Sequence, residues 1–252
     1  MARRAKELRP NRWRTPMVRS LVSFRHIAHL AVMLAAFAPW APSAAAVDRP
    51  VVIELFTSQG CSSCPPANAY LNEMVRQRRD VLPLAFHVTY WDRLGWKDPF
   101  SLAAATDRQA RYGSRFGDGS YTPEIVVDGL SSHVGSNRAE IGPAIDRARG
   151  QASSAAIVKL ARSGETLTVE VGGGEGRGRV VLVGFDHRHE TEIRRGENDG
   201  RTLEELNVVR SVRALGEWTG TALRLVAPLP EGEDAAVLLE TADGRIVGAA
   251  RL

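Results

Sequence analysis

Apolar and polar residues follow one pattern up to about residue 150 and a different one after it. In the first part, buried-type apolar runs alternate with segments in which apolar residues recur every three or four positions. Strands are predicted over residues 50–56, 81–88, 124–127 and 131–134. Helices are predicted over 61–79, 100–116 and about 137–149. This β-α-β-α-β-β-α order, with a hairpin turn at Asp128-Gly129, predicts an α/β domain over residues 47–150.

Residues 151–252 carry short β-type segments separated by turn signals such as Gly172-Gly173-Gly174 and Asp243-Gly244. Strands are predicted over 155–161, 166–171, 179–185, 208–215, 222–227, 235–240 and 246–251. Short strands at this spacing predict a small all-β, sandwich-like domain over 151–252. The run 202–209 is also compatible with a helix.

The first 46 residues have the organisation of a secretory signal peptide. Residues 1–25 carry eight Lys or Arg and one acid, an apolar run covers 27–40, and Ala44-Ala45-Ala46 follows. The apolar run is shorter than the roughly 20 residues that span a bilayer. We therefore expect residues 1–46 to be removed and the mature chain to have no membrane contact, with a retained anchor as the alternative. Met1 and Met17 are both compatible with the start.

Removal of the signal peptide reverses the sign of the net charge. The whole chain has 33 basic and 29 acidic residues, net +4, whereas residues 47–252 have 25 basic and 28 acidic residues, net −3. The mature chain therefore gives no electrostatic reason to expect nucleic-acid binding. Export predicts a periplasmic or secreted protein, in a compartment where disulfides persist.

The chain has two cysteines, and both lie in one motif, Cys61-Ser62-Ser63-Cys64. A structural disulfide stabilises most when it closes a long loop, so this spacing favours a redox-active pair. The free N–H groups and dipole of a helix N-terminus favour the thiolate of Cys61 as nucleophile, with Cys64, deeper in the helix and more buried, as the resolving thiol. A metal site and an inert pair are the alternatives. Structural zinc needs two more ligands, such as His87 or His133. We expect no metal and no cofactor.

Residues 54–66, which contain this motif, resemble the thioredoxin/glutaredoxin superfamily. More closely, the chain resembles a family of exported bacterial proteins of unknown function with a thioredoxin-like domain. The resemblance also covers residues 90–92, 95–100, 121–123, 127–129 and 196–198, within about 50–250. It implies a thioredoxin-like fold for residues 47–150 and export, and it supplies no substrate.

The thioredoxin-like arrangement implies roles for further residues. Thr122-Pro123 begins a strand where such a domain places a cis-proline beside the cysteines, and the backbone of Thr122 would pair with an extended substrate chain. Glu54, seven residues before Cys61, is a candidate proton relay to Cys64, with a solvated or edge-strand carboxylate as the alternative.

The aromatic segment after the second strand supplies a candidate substrate groove. Its walls would be Tyr90, Trp91 and Trp96, although packing onto a helix is the alternative for all three. These features together predict an exported thiol–disulfide oxidoreductase that acts on protein thiols and disulfides and exchanges electrons with a redox partner protein. The alternative is a non-catalytic thioredoxin-like module that binds a protein partner or a metal.

Overall fold

The computed structural model describes residues 49–151 and 156–252, so the predicted signal peptide lies outside the described residues. The helices are α1 (Pro65–Gln77), α2 (Ala103–Phe116) and α3 (Arg138–Gln151). The strands are β1 (Val51–Thr57), β2 (Val81–His87), β3 (Glu124–Val127), β4 (Ser131–Val134), β5 (Val158–Ser163), β6 (Thr166–Val171), β7 (Gly178–Glu192), β8 (Thr202–Trp218), β9 (Leu223–Pro228), β10 (Asp234–Glu240) and β11 (Ile246–Arg251). The β-α-β-α-β-β-α order predicted for the first part is confirmed.

Eight strands form one large mixed sheet, in the order β11-β10-β7-β8-β2-β1-β3-β4, and β5-β6-β9 form a second sheet. Strands β1 and β2 are parallel, as their helical crossover predicts, and Thr57 pairs with His87 at their carboxyl ends. Strands β3 and β4 form the predicted hairpin. Its turn places Asp128 and Gly129 at φ angles of 49° and 61°, the left-handed region that Asp-Gly turns favour.

Side-chain alternation along β1 decides what lies on each face of the large sheet. Ile53 and Leu55 pack with apolar residues of α1 and α3, whereas Val52 and Phe56 pack on the other face with residues of α2. Successive strand residues point to opposite faces, so α1 and α2 lie on opposite sides of β1. Glu54 belongs to the α2 side by the same alternation.

Four of the seven strands described after residue 150 belong to the same large sheet as the first part of the chain. Strands β7, β8, β10 and β11 extend the large sheet, and β8 joins it to β2 through the pairing of Ala85 with Val208. The large sheet therefore crosses the boundary predicted at residue 150. The sandwich-like part is the second sheet, whose Leu167 and Val169 pack with Leu182 and Val237 of the large sheet.

The two strands of the central hairpin in the second part of the chain, β7 and β8, are longer than the sequence predicted. Strand β7 has 15 residues and β8 has 17, where the sequence predicted about seven or eight residues in each. The run 202–209 is strand rather than helix, because it lies within β8 and all its residues except Asn207 pair with β7 or β2. Within residues 49–151 and 156–252, no helix is long and apolar enough to cross a membrane.

Candidate functional site

Cys61 and Cys64 form a disulfide at the junction between β1 and α1, with their Cα atoms 5.4 Å apart. They belong to the cysteine loop, residues 58–64, which starts at the carboxyl end of β1. Pro65 and Pro66 open α1, where the missing N–H groups leave no helical bond unmade. The sequence therefore puts the pair at the end of a parallel strand and the start of a helix.

The helix begins later than predicted, and this changes the position of each sulfur. Cys64 is the N-cap residue of α1, and Cys61 lies in the turn before it, where its carbonyl accepts the N–H of Cys64. Both cysteines are fully buried, whereas the sequence predicted a deeper Cys64. The intervening Ser62 and Ser63 are the exposed part of the motif.

The Thr122-Pro123 peptide bond is cis, and it lies at the same end of the sheet as the disulfide. Glu124, the next residue, pairs with Phe56 near the carboxyl end of β1. Trp91 lies between the two segments: its indole N–H donates to Oγ1 of Thr122 at 2.8 Å, and its Cβ lies 3.4 Å from a Cβ built on Gly60. One side chain thus contacts both the cysteine loop and the cis-proline segment.

A buried polar network lies next to the cysteine loop and includes residues from both halves of the chain. Glu205 of β8 accepts hydrogen bonds from Nε2 of Gln59 at 2.7 Å and from Nδ2 of Asn68 at 3.0 Å. Gln59 precedes Cys61 by two residues, and the N–H of Asn68 bonds to the carbonyl of Cys64. Glu205 therefore connects the segment before the first cysteine to the helix turn that follows the second.

The network also contains a buried histidine between two carboxylates. Nδ1 of His87 lies 2.7 Å from Oδ2 of Asp98, and its Nε2 lies 3.6 Å from Oε1 of Glu205. Burial works against protonation, but the charges of Asp98 and Glu205 outweigh it and raise the pKa of His87 from 6.5 to about 9. Burial also raises the pKa of Glu205. The network can therefore hold a proton at neutral pH.

The turn between β7 and β8 contacts the same loop from outside. We call residues 193–201 the hairpin tip. Asn198 donates from Nδ2 to the carbonyls of Gln59 and Cys61, both at 2.9 Å. Glu197 accepts from the N–H and hydroxyl of Ser62, at 3.1 and 2.7 Å. The cysteine loop is thus bonded to the polar network on its inner side and to the hairpin tip on its outer side.

Comparison with models of protein families assigns the sequence to a known family. A family model described as "Protein of unknown function (DUF1223)" matches residues 52–240, three quarters of the chain. The chain belongs to the DUF1223 family. A comparison with curated proteins gives no match.

The solved structures that resemble this DUF1223 protein include those of two proteins. Protein AGR_C_4864 from Agrobacterium tumefaciens is 32% identical, with a TM-score of 0.71, over 80% of this chain and 93% of that one. HBP35 of Porphyromonas gingivalis is 18% identical, with a TM-score of 0.56, over 81% of this chain and 74% of that one. The second likeness concerns the fold alone.

In this DUF1223 protein, Glu54 is placed away from the cysteines, contrary to the proton-relay hypothesis. Its carboxylate accepts hydrogen bonds from Arg108 and from the hydroxyl of Tyr112, both on α2. Arg108 also bonds to Glu240. Strand alternation directs Glu54 to the α2 face, whereas Cys64 begins the helix on the other face. Glu54 is part of a buried ion cluster, and these contacts direct its carboxylate toward α2 rather than toward the helix that Cys64 begins.

The three aromatic residues predicted as groove walls have different surroundings. Trp96 donates from Nε1 to Oε1 of Gln59 at 3.0 Å, so it contacts the cysteine loop as Trp91 does. Tyr90 instead donates to Gln109 of α2 at 3.2 Å. All three are half-buried. Trp91 and Trp96 therefore border the disulfide region, and Tyr90 packs toward the helix.

Sequence reasoning missed the residues that hold the cysteine loop, which are Gln59, Asn68, His87, Asp98, Asn198 and Glu205. One signal pointed to part of this set. Residues 196–198 belong to the family resemblance. Their contact with residue 61 depends on how a distant hairpin packs, and no local pattern encodes that. Among the described residues, His, Cys, Asp and Glu form no group of three arranged to hold a metal ion.

Proposed function

We propose that this protein is an exported thiol–disulfide oxidoreductase with a thioredoxin-like core over β1 to α3. The observation that carries the proposal is the Cys61–Cys64 disulfide at the start of α1, with the cis Thr122-Pro123 bond at the same end of the sheet. The strand order β2-β1-β3-β4, with β1 and β2 parallel and a terminal hairpin, supports the thioredoxin-like core.

The proposed reaction moves two electrons and two protons between dithiols. A substrate thiolate attacks Sγ of Cys61, the Cys61–Cys64 bond breaks, and Cys64 leaves as a thiolate that takes up a proton. A second substrate thiol then loses its proton and attacks the substrate sulfur of the mixed disulfide, which releases Cys61. The substrate is oxidised to a disulfide and the cysteine pair is reduced. A redox partner protein restores the starting state, and the reverse sequence reduces substrate disulfides.

Binding of the substrate chain involves the segment around the cis-proline. The carbonyl of Pro123 accepts the N–H of Gly135 at 2.9 Å, which fixes this segment beside β4. Thr122 is half-exposed and offers its backbone to an extended peptide, as a strand edge does. Trp91 and Trp96 provide apolar surface next to it. Export and the periplasmic or secreted location belong to this proposal as well.

The test uses the purified mature chain, residues 47–252, with a reduced and an oxidised protein substrate. We expect turnover in one direction. Cys61→Ser should abolish it, and Cys64→Ser should accumulate mixed disulfides through Cys61. The Cys61→Ser/Cys64→Ser double variant sets the background. Turnover equal to that background in both directions would refute the proposal, and capture of the same partners by the double variant would favour a binding module.

A further inference from the structure

The hairpin tip is closed by its own backbone hydrogen bonds. The N–H of Gly200 bonds to the carbonyl of Ile193 at 2.8 Å, and the N–H of Asp199 bonds to Gly196 at 3.2 Å. Ile193 is buried beneath the tip. Such a turn keeps its shape without help from a ligand, so its contacts with the cysteine loop are fixed in direction.

The hairpin tip also packs closely against the aromatic segment, at Gly95 and Trp96. Gly196 has a φ angle of 80°, and a Cβ at this position would lie 3.2 Å from Cβ of Trp96. Gly95 lies close on the same side, and a Cβ added to Gly95 would lie 3.5 Å from Cα of Gly196. This close approach favours glycine at residue 196 and holds the next two residues against the cysteine loop.

Asn198 fixes the backbone of the cysteine loop. Its side chain is almost fully buried, and its Nδ2 group bridges the carbonyls of Gln59 and Cys61. These carbonyls lie on either side of Gly60, so one amide group clamps the turn that presents the first cysteine. Loss of this clamp would let Cys61 move outward, and Cys61 has no exposed surface in the disulfide form.

Glu197 places a negative charge on the exposed side of the same loop. Its carboxylate accepts a hydrogen bond from the backbone N–H of Ser62, the residue that follows Cys61. That N–H would otherwise be available to an approaching or developing thiolate, because free amides at such turns favour anions. These hydrogen bonds from Ser62 also lower the pKa of Glu197, which keeps it ionised at neutral pH.

We infer that Glu197 and Asn198 are positioning residues that restrict thiolate access to Cys61, Asn198 by holding the loop and Glu197 by its charge at Ser62. The inference rests on the proposed function, because it concerns the reactivity of the same cysteine pair. It assigns the hairpin tip, outside the 51–151 core, a part in setting that reactivity. The tip carries Arg194, Arg195 and Arg201 against Glu197 and Asp199, so loss of the Glu197 charge raises its net charge from +1 to +2 and strengthens its attraction for thiolates.

The experiment measures the rate at which dithiothreitol reduces the disulfide of the mature chain. A dithiothreitol thiolate attacks Cys61, Cys64 leaves and takes a proton, and the second dithiothreitol thiol closes its ring and releases Cys61. We expect Glu197→Gln to accelerate disulfide reduction by about threefold to tenfold at low salt. The increase in rate should become smaller in 1 M NaCl, because salt screens the charges. Glu204→Gln is the matched control, since Glu204 on the same hairpin pairs with Arg76 and Arg188.

Two further measurements keep the parts of the inference separate. Asn198→Ala should also accelerate reduction by an uncharged phosphine, which responds to exposure of the disulfide rather than to charge. In a Cys64→Ser background, Glu197→Gln should raise the rate of Cys61 alkylation by iodoacetamide at pH 7. Equal rates for Glu197→Gln and Glu204→Gln, or a gain independent of salt, would overturn the role of Glu197. An unchanged phosphine rate would overturn that of Asn198.

These outcomes are independent of protein turnover. Altered rates without oxidation or reduction of any protein substrate would refute the proposed function and leave the inference standing. Turnover of a protein substrate with identical rates in Glu197→Gln and Glu204→Gln would refute the inference alone.

Discussion

The imidazole of His87 and the carboxylate of Asp98 meet at 2.7 Å in the protein interior, with neither side chain exposed to solvent. The same oxygen, Oδ2 of Asp98, accepts the backbone N–H of Gln59 at 2.8 Å, two residues before Cys61. A buried cation is therefore one hydrogen-bonded group away from the cysteine loop. The charge state of His87 affects the stability of that loop through Asp98.

The raised pKa of His87 predicts that stability declines at alkaline pH. A histidine with a folded pKa of about 9 and an unfolded value of 6.5 stabilises the protein fully below pH 6.5, and the contribution is lost as pH rises through 9. We expect the free energy of unfolding to fall by up to roughly 3 kcal/mol across this window. Urea unfolding of wild type and His87→Gln between pH 6 and 10 tests this. Parallel pH profiles for the two proteins would contradict it.

Replacement of Glu205 should destabilise the protein more than replacement of the adjacent Glu204. Gln59 and Asn68 both donate to Glu205, so in Glu205→Gln the new amide group faces a donor and His87 loses a counter-charge. We expect a loss of about 2–4 kcal/mol. Glu204→Gln, whose ion pairs are half-exposed, should cost about 1 kcal/mol or less. Chemical denaturation of both variants decides this, and similar losses would refute the proposed importance of the network.

The first part of the fold follows from local sequence signals. The apolar runs of β1 and β2, the periodicity of α1 and the Asp128-Gly129 turn each act over a few residues, and their positions agree with the structure to within a few residues. The pairing of β8 with β2 has no such local signal. It joins Ala85 to Val208 across more than a hundred residues, so only tertiary packing selects it.

Glu54 should matter for stability and not for the cysteine pair. Its carboxylate forms a buried ion pair with Arg108, which also pairs with Glu240. In Glu54→Gln the buried guanidinium of Arg108 therefore loses one of these two negative partners. We expect a loss of about 3–5 kcal/mol in unfolding free energy. The equilibrium of the cysteines with a dithiothreitol redox buffer should equal that of wild type, because Glu54 lies on the opposite face from α1. A shifted equilibrium in the folded variant would restore the relay hypothesis.

The site was predictable only where one short segment defines it. The Cys61/Cys64 spacing and the Thr122-Pro123 position each lie within one segment, and the cis bond and the disulfide are both present. The contacts of Glu54 with α2 were not predictable, because sequence distance from Cys61 says nothing about which sheet face a strand residue occupies. Asn198 and Glu205 reach the cysteine loop from more than 130 residues away, through a hairpin longer than its apolar pattern predicted.

Glu124, directly after the cis-proline, predicts a second pH-dependent step in stability. Burial raises the pKa of Glu124 to about 7 even though Gln109 and Ser132 donate hydrogen bonds to it. The neutral carboxyl therefore stabilises the fold fully below pH 4.5, its unfolded value, and this contribution is lost as pH rises through 7. The expected fall is up to roughly 3 kcal/mol.

The measurement compares the unfolding free energies of wild type and Glu124→Gln from pH 4 to 8. The difference between the two unfolding free energies should shift against wild type between pH 4.5 and 7 and level off toward pH 8. This window overlaps that of His87 only between about pH 6.5 and 7, so comparison with each variant separates the two steps. Glu175→Gln, at an exposed position, serves as the control and should follow wild type throughout. A constant difference between wild type and Glu124→Gln from pH 4 to 8 would mean that Glu124 has the same pKa in the folded and unfolded protein, and would contradict the prediction.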